Sequence, residues 1–304
     1  MLNHPILKNG YFLALLTAII SGISVFSNGV AVKLTDPIEY TLLKNVGALI
    51  FLFVLIASIG LFNQIRSLKR SQLFSLVLIG LIGGSIPFML FFSGLKMGGA
   101  SVSSFIYRSL FIFCGISAYF ILKERPSKNE FLCGFLILVA NALLIDYSQG
   151  FSIPQIMVLL ATILWAIEYA LSKKLTSSIS PFIVALGRMF FGSLFIVAYL
   201  FATDPTPLSF NLSPQILISL VATSFTLFMF LGFWYTSLSK IKLTTASIIF
   251  TLGGSITALL DGLFVHKKFA SLEIFSLVCI TLCALYLFAK TYSNNPSSEV
   301  QVDG

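Results

Sequence analysis

The chain predicts an all-α integral membrane fold: ten transmembrane helices forming two inverted five-helix repeats around a central cavity. Three observations carry this reading. First, the 304 residues are 57% hydrophobic and only 10% charged, whereas a soluble domain carries about 25% charged residues. No soluble core could hide that much apolar surface. Second, the apolar residues fall into ten runs close to the ~20 residues a helix needs to cross a bilayer. Third, the sequence repeats. Shifted by 144 residues, 11–145 falls onto 155–289 without gaps.

The first five spans read as 11–32, 38–62, 73–94, 101–122 and 130–145. Asp36-Pro37 separates the first span from the second, and Arg66, Lys69 and Arg70 lie before the third. The third carries Gly80, Gly83 and Gly84 followed by Pro87, a pattern that serves as a hinge or, more commonly, as a close packing face. Gly98-Gly99 divides the third span from the fourth, and Arg125-Pro126 the fourth from the fifth. Beyond Gln149-Gly150 the second set reads as 153–175, 181–202, 214–237, 244–265 and 272–289. Ser180-Pro181 and the turn at 204–207 punctuate it. Residues 1–150 thus form repeat 1 and 151–292 repeat 2, with a polar tail at 293–304 expected to be disordered.

The repeat register pairs chemistry as well as hydropathy. Pro37 lands on Pro181 and Lys44 on Arg188, while Ser93 and Lys96 land on Ser237 and Lys240. An odd number of spans in each copy turns the second upside down relative to the first. Inverted repeats with charge near the midplane point to alternating access. With the N-terminus inside, twelve loop Lys and Arg fall on the inner face and four on the outer, Lys33, Lys96, Lys267 and Lys268. This bias places both termini in the cytoplasm and the chain in the cytoplasmic (inner) membrane as a multi-pass protein.

The composition also excludes functions. The net charge of +8 is dispersed over short loops and offers no platform for nucleic acid. Cys114, Cys133, Cys279 and Cys283 lie inside apolar spans, so neither a disulfide nor a metal site is expected, nor any cofactor. The first span is long and lacks a small-residue cleavage pattern, so no cleavable signal peptide is expected. Only two histidines occur, His4 and His266, and no nucleophile-elbow or phosphate-binding motif is present. An enzyme is not expected.

Five ionisable residues fall within spans: Lys44, Arg108, Glu168, Arg188 and Asp261. Each costs about 2.5–3.5 kcal/mol at bilayer depth even on the lenient insertion scale. They must face a wet cavity or pair with one another. Trp165, Glu168, Tyr169 and Ser172 share one face of the sixth span, and Ser21, Ser24, Val25 and Asn28 are their counterparts on the first. The two polar stripes oppose one another where a substrate site would form. Glu168 reads either as a cavity-facing carboxylate that binds substrate or carries a proton, or as the partner of Arg188 or Arg108. Lys44 and Arg188 read as anchors to neighbouring helices, with contact to an anionic substrate as the alternative. Arg108 has Leu252 as its counterpart, an asymmetry that suits ligand contact or pairing with Glu168 or Asp261. The ninth span presents Thr244, Ser247, Thr251 and Ser255, and the fourth Ser104, Tyr107, Arg108 and Phe111, as possible cavity walls. Ser24, Asn28, Tyr107, Arg108, Trp165, Glu168, Tyr169 and Thr251 are therefore the candidate substrate-binding residues. Glu168, Lys44, Arg188 and Asp261 are the candidate coupling or structural charges.

On these residues the chain resembles the drug/metabolite transporter superfamily, in particular its ten-helix EamA-type members. Pro37 with Lys44 and Pro181 with Arg188 match a proline followed two turns later by a basic residue in the second helix of each repeat. Trp165 matches the tryptophan frequent in helices 1 and 6, a place Ser21 takes in helix 1. Ala100-Ser101, Lys123-Glu124-Arg125 and Gly134 echo a further family segment. Its glutamate is missing from His266-Lys267-Lys268 in the second copy. The resemblance implies a ten-helix basket with a central cavity. Related proteins export amino acids, purines, drugs or other small metabolites, and others import nucleotide-like or sugar compounds, driven by proton gradients or exchange.

The expected function is secondary transport, as an exporter, of a small polar metabolite such as an amino acid or organic anion. The partners are that small molecule, membrane lipid, and protons or a counter-substrate. The alternative is a proton-coupled exporter of cationic or hydrophobic drugs in which Glu168 neutralises the cargo.

Overall fold

The computed structural model describes residues 9–142, 152–203, 213–266 and 271–294. Within these, every regular element is helical and no strand occurs. Lys8, Lys267, Lys268 and residues 295–304 of the expected tail lie outside the described residues.

Helix starts follow local chemistry. Asn9 caps α1 (Gly10–Ala31), its Oδ1 accepting from the amides of Tyr11 and Phe12 at 2.9 and 3.1 Å. Asp36 caps α2 (Pro37–Ser58) in the same way, and Pro37 takes the first position, where no N–H is needed. A short α3 (Phe62–Arg66) leads to α4 (Arg70–Ile79), which continues through a π-helical turn (Gly80–Ser85) into α5 (Ile86–Gly98). Gly99, at φ +82°, ends α5 in a left-handed conformation that favours glycine. Next come α6 (Ala100–Tyr107), α7 (Leu110–Ser117) with a π-helical turn (Ala118–Leu122), and α8 (Lys128–Ala142). The second half comprises α9 (Ile153–Thr176), α10 (Pro181–Thr203), α11 (Pro214–Leu238), α12 (Leu243–Phe250), α13 (Leu252–Asp261) with a π-helical turn (Gly262–His266), and α14 (Ser271–Asn294).

Eight stretches of the described chain are long and apolar enough to cross a membrane: Gly10–Leu34, Pro37–Ser58, Arg70–Gly98, Phe105–Leu122, Ile153–Thr176, Pro181–Thr203, Pro214–Leu238 and Leu243–Val265. The protein is a multi-pass membrane protein. Bulky residues such as Phe74 and Ile218 point outward, about 70% exposed, as suits a lipid-facing surface. The predicted fifth and tenth spans correspond to α8 and α14, which pack on each other but fall short of that set. The described part of α8 has 15 residues, and the apolar stretch of α14 is Leu277–Lys290.

Two spans expected to be continuous are interrupted, and the interruptions are related by the repeat. The fourth breaks between α6 and α7, the ninth between α12 and α13, with Tyr107 equivalent to Thr251. In both, amides bond three residues back instead of four: Ser109 to Ile106 and Ile112 to Ser109 in one, Thr251 to Ile248 and Gly254 to Thr251 in the other, all at 3.0–3.1 Å. The cause is local. Ser109 Oγ donates to Ile106 O at 2.7 Å and Thr251 Oγ1 to Ile248 O at 2.6 Å. A hydroxyl that competes for a main-chain carbonyl tightens and bends a helix. The two spans also end alike, in π-helical turns 144 residues apart.

Packing exchanges onto itself when the halves are swapped. α1 lies against α11, and its counterpart α9 lies against α5. α1 also contacts α12 and α13, as α9 contacts α6 and α7. α2 meets α10, and α8 meets α14, each a helix against its own counterpart. A close backbone approach occurs at Gly84 and Gly192. A Cβ on Gly84 would stand 2.2 Å from Arg188 O, and one on Gly192 would stand 2.6 Å from Gly84 O. Only glycine lets these two backbones meet.

Candidate functional site

The site begins with a carbonyl left unclaimed. Pro87 lies four residues after Gly83 and has no N–H, so the helical bond to Gly83 O cannot form. The π-helical turn at Gly80–Ser85 turns that carbonyl toward the second half. There it accepts from Trp165 Nε1 at 3.0 Å and from Arg188 Nη2 at 2.9 Å. Gly83 also makes room for Glu168, whose Cγ would be 2.4 Å from a Cβ at that position.

Glu168 and Arg188 form a buried ion pair at 3.0 Å, each at most 1% exposed. Glu168 Oε1 accepts from Ser172 Oγ and, at 2.5 Å, from the Tyr235 hydroxyl. Arg188 Nη1 donates to Tyr235 at 2.9 Å. Of the two readings of Glu168, cavity-facing acid or partner of an arginine, the geometry is that of a pair with Arg188.

The first half holds an equivalent group without the carboxylate. Lys44 Nζ donates to Asn28 Oδ1 at 2.9 Å, and the Tyr40 hydroxyl donates to the same oxygen at 2.5 Å. Asn28 Nδ2 donates to Ser24 Oγ at 3.0 Å, and Tyr40 lies 3.0 Å from Thr223 Oγ1. The Lys44 ammonium stands 4.6 Å from the centre of the Phe92 ring. Ser24, Asn28 and Lys44 occupy the repeat positions of Glu168, Ser172 and Arg188.

Aromatic rings fill the space between these two groups. Trp165 is 5.2 Å from Phe88 and from Phe91, and 5.3 Å from Tyr107. Tyr107 is 5.7 Å from Phe250, and Trp234 links Phe250 to Tyr169 at 5.1 and 4.9 Å. The Tyr107 and Tyr169 hydroxyls are 3.5 Å apart. A small void, about the size of one water molecule, remains beside Tyr107, lined by Ser21, Val25, Arg108, Thr251 and Thr257. It lies where repeat 1 places Ser21 and Val25 at the positions of Trp165 and Tyr169. Arg108 Nη2 donates to Gly254 O at 3.0 Å. Asp261 is buried as the last residue of α13.

The predicted residues thus gather into three groups. Trp165, Glu168, Tyr169 and Arg188 form one, and Ser24, Asn28 and Lys44 the second. Tyr107, Arg108 and Thr251 meet at the void. Tyr235, Tyr40, Thr223 and Trp234 were not anticipated, because in an apolar span a Tyr or Trp reads as bulk. The role of Gly83 was legible in principle from the proline four residues on.

A fourth polar group joins the halves at the ends of the helices. Glu124 Oε1 is 3.5 Å from Lys173 Nζ, and Glu124 Oε2 accepts from the amide of Leu243 at 2.9 Å. Lys173 donates to the carbonyls of Leu238 and Ile241 at 2.7 and 2.5 Å. Each charge meets the helix end whose dipole it complements. Nearby, Ser127 and Glu130 form a capping box over the start of α8, and Glu130 also accepts from the hydroxyls of Thr244 and Thr245.

Among the described residues no cluster of three or more His, Cys, Asp or Glu could hold a metal ion. The model of the EamA-like transporter family matches residues 8–145 and again 152–289. The chain belongs to the EamA-like transporter family. The two matches are offset by the 144 residues of the internal repeat and together cover nearly all of the chain. The family is one of membrane transporters, not enzymes. A crystal structure of another protein, 11% identical, superposes with a TM-score of 0.72 over 94% of this chain and 99% of that one. That likeness concerns the fold alone. A search of curated protein sequences found no match.

Proposed function

We propose that this protein is a secondary active transporter, working as an exporter in the cytoplasmic membrane, for a small polar metabolite with an anionic group such as an amino acid or an organic anion. The observation that carries this is the matched interruption of two spans at Tyr107–Ser109 and Thr251, beside a small void that Arg108 also lines. Interrupted helices from related repeats, meeting near the midplane, are how secondary transporters build a binding site. The swap-symmetric packing supports inverted repeats of five helices each. Such repeats can rock about the aromatic centre to expose the site to either side. The loop charges support an orientation with both termini in the cytoplasm.

The setting of Lys44 favours an anionic cargo. Glu168 is engaged by Arg188, whereas the buried Lys44 ammonium is held by the neutral Asn28 Oδ1. An exporter of cationic drugs needs Glu168 released from Arg188, and nothing in the geometry favours that. Solute flux into proteoliposomes is the test, with substrates first selected by thermal stabilisation of the purified protein. Amino acids or organic acids are expected to raise the melting temperature and to accumulate. Stabilisation and flux confined to quaternary amines would reverse the substrate class, and no flux of any solute would remove the transporter reading.

A further inference from the structure

We propose that Lys44 is one half of an ion pair whose other half, a carboxylate, is brought by the transported molecule. The inference rests on the transporter reading above and assigns it a binding group. Its basis is a comparison the molecule makes with itself. At positions 24, 28 and 44 the first half has Ser, Asn and Lys, and at the equivalent 168, 172 and 188 the second half has Glu, Ser and Arg. In the second half, cation and carboxylate meet at 3.0 Å. In the first, the cation remains and the acid is gone.

Lys44 is buried, only 2% exposed. Its polar contact is Asn28 Oδ1, a neutral acceptor, and its other neighbour is the face of Phe92. Ion pairs join Lys173 to Glu124 and Arg188 to Glu168, and neither includes Lys44. A neutral acceptor and a ring do not replace the hydration an ammonium gives up on burial. The ammonium has three N–H donors, so Asn28 leaves capacity for a carboxylate. Lys44 and Arg188 also flank one ring, Phe88, at 5.9 and 5.3 Å. Two cations thus share this centre with the single carboxylate of Glu168. A ligand carboxylate would bring it to neutrality.

The test supplies the missing acid from the protein. Asn28→Asp is nearly isosteric and puts a carboxylate oxygen where Asn28 Oδ1 already stands, 2.9 Å from Nζ. Melting temperatures of the purified full chain are measured for wild type, Asn28→Asp, Lys44→Met and the double variant, with and without a panel of amino acids and mono- and dicarboxylates. Asn28→Asp is expected to melt higher than wild type, and to be destabilising in the Lys44→Met background. Carboxylates that stabilise wild type are expected to need at least tenfold higher concentration with Asn28→Asp, and to have no effect on Lys44→Met. Equal effects of Asn28→Asp in both backgrounds would overturn the proposal. So would a carboxylate whose stabilisation is unchanged by Asn28→Asp. Flux of a solute lacking an acid group would overturn the ligand assigned to Lys44 and leave transport standing, whereas failure of the transporter reading shows separately as no flux at all.

Discussion

Pro87 acts on the site through the hydrogen-bond donor it lacks. The carbonyl it leaves unbonded on Gly83 collects Trp165 and Arg188, and Arg188 in turn holds Glu168. The pair is buried, so its removal is asymmetric. Losing one partner strands a buried charge at about 3–5 kcal/mol, while replacing both can be nearly neutral. Glu168→Gln is therefore expected to lower the melting temperature in detergent sharply. Adding Arg188→Met to that background should recover most of the loss, which thermal unfolding of the three variants will check. That these residues matter was legible from sequence, since a charge within an apolar run has few tolerable explanations. Which charges pair was not. Glu168 had Arg188 or Arg108 as candidate partners, and only the approach of α10 to the π-helical turn at Gly80–Ser85 chose between them.

At the scale of elements, the matched breaks depend on two hydroxyls. Thr251→Val keeps the shape of the side chain and removes the donor that competes for Ile248 O. The amides around the break are then expected to regain four-residue bonds and to exchange with solvent about tenfold more slowly. Hydrogen exchange read by mass spectrometry measures this, and transport should slow in parallel if the break serves the site. Eight of the ten spans were legible to within four residues at either end, because length and apolarity are properties of the chain alone. Their interruption was not, since a Thr or Ser in an apolar run reads equally as a packing residue, and which carbonyl its hydroxyl takes is settled by local backbone geometry.

Across the whole molecule, the contacts between the halves include the aromatic centre and the polar group of Glu124 and Lys173. The second joins the link after α7 in the first half to the ends of α9, α11 and α12 in the other. Repeat 2 has Lys268 at the position of Glu124. Glu124→Gln weakens its pairing with Lys173 and its hold on the Leu243 amide. It is expected to speed exchange of the first-turn amides of α12 about tenfold while leaving α2 and α10 unchanged, again by hydrogen exchange. What the sequence alone determined was the membrane class, the span positions, the duplication and the list of charges that need an explanation. Each follows from composition or periodicity, which a linear chain carries in full. What only the tertiary structure decided was which charge met which, where the helices break, and that the centre is filled by rings with a small void to one side. Those outcomes depend on residues tens to hundreds of positions apart arriving within a few ångströms, and the free energy of such contacts is written in no local stretch of the chain.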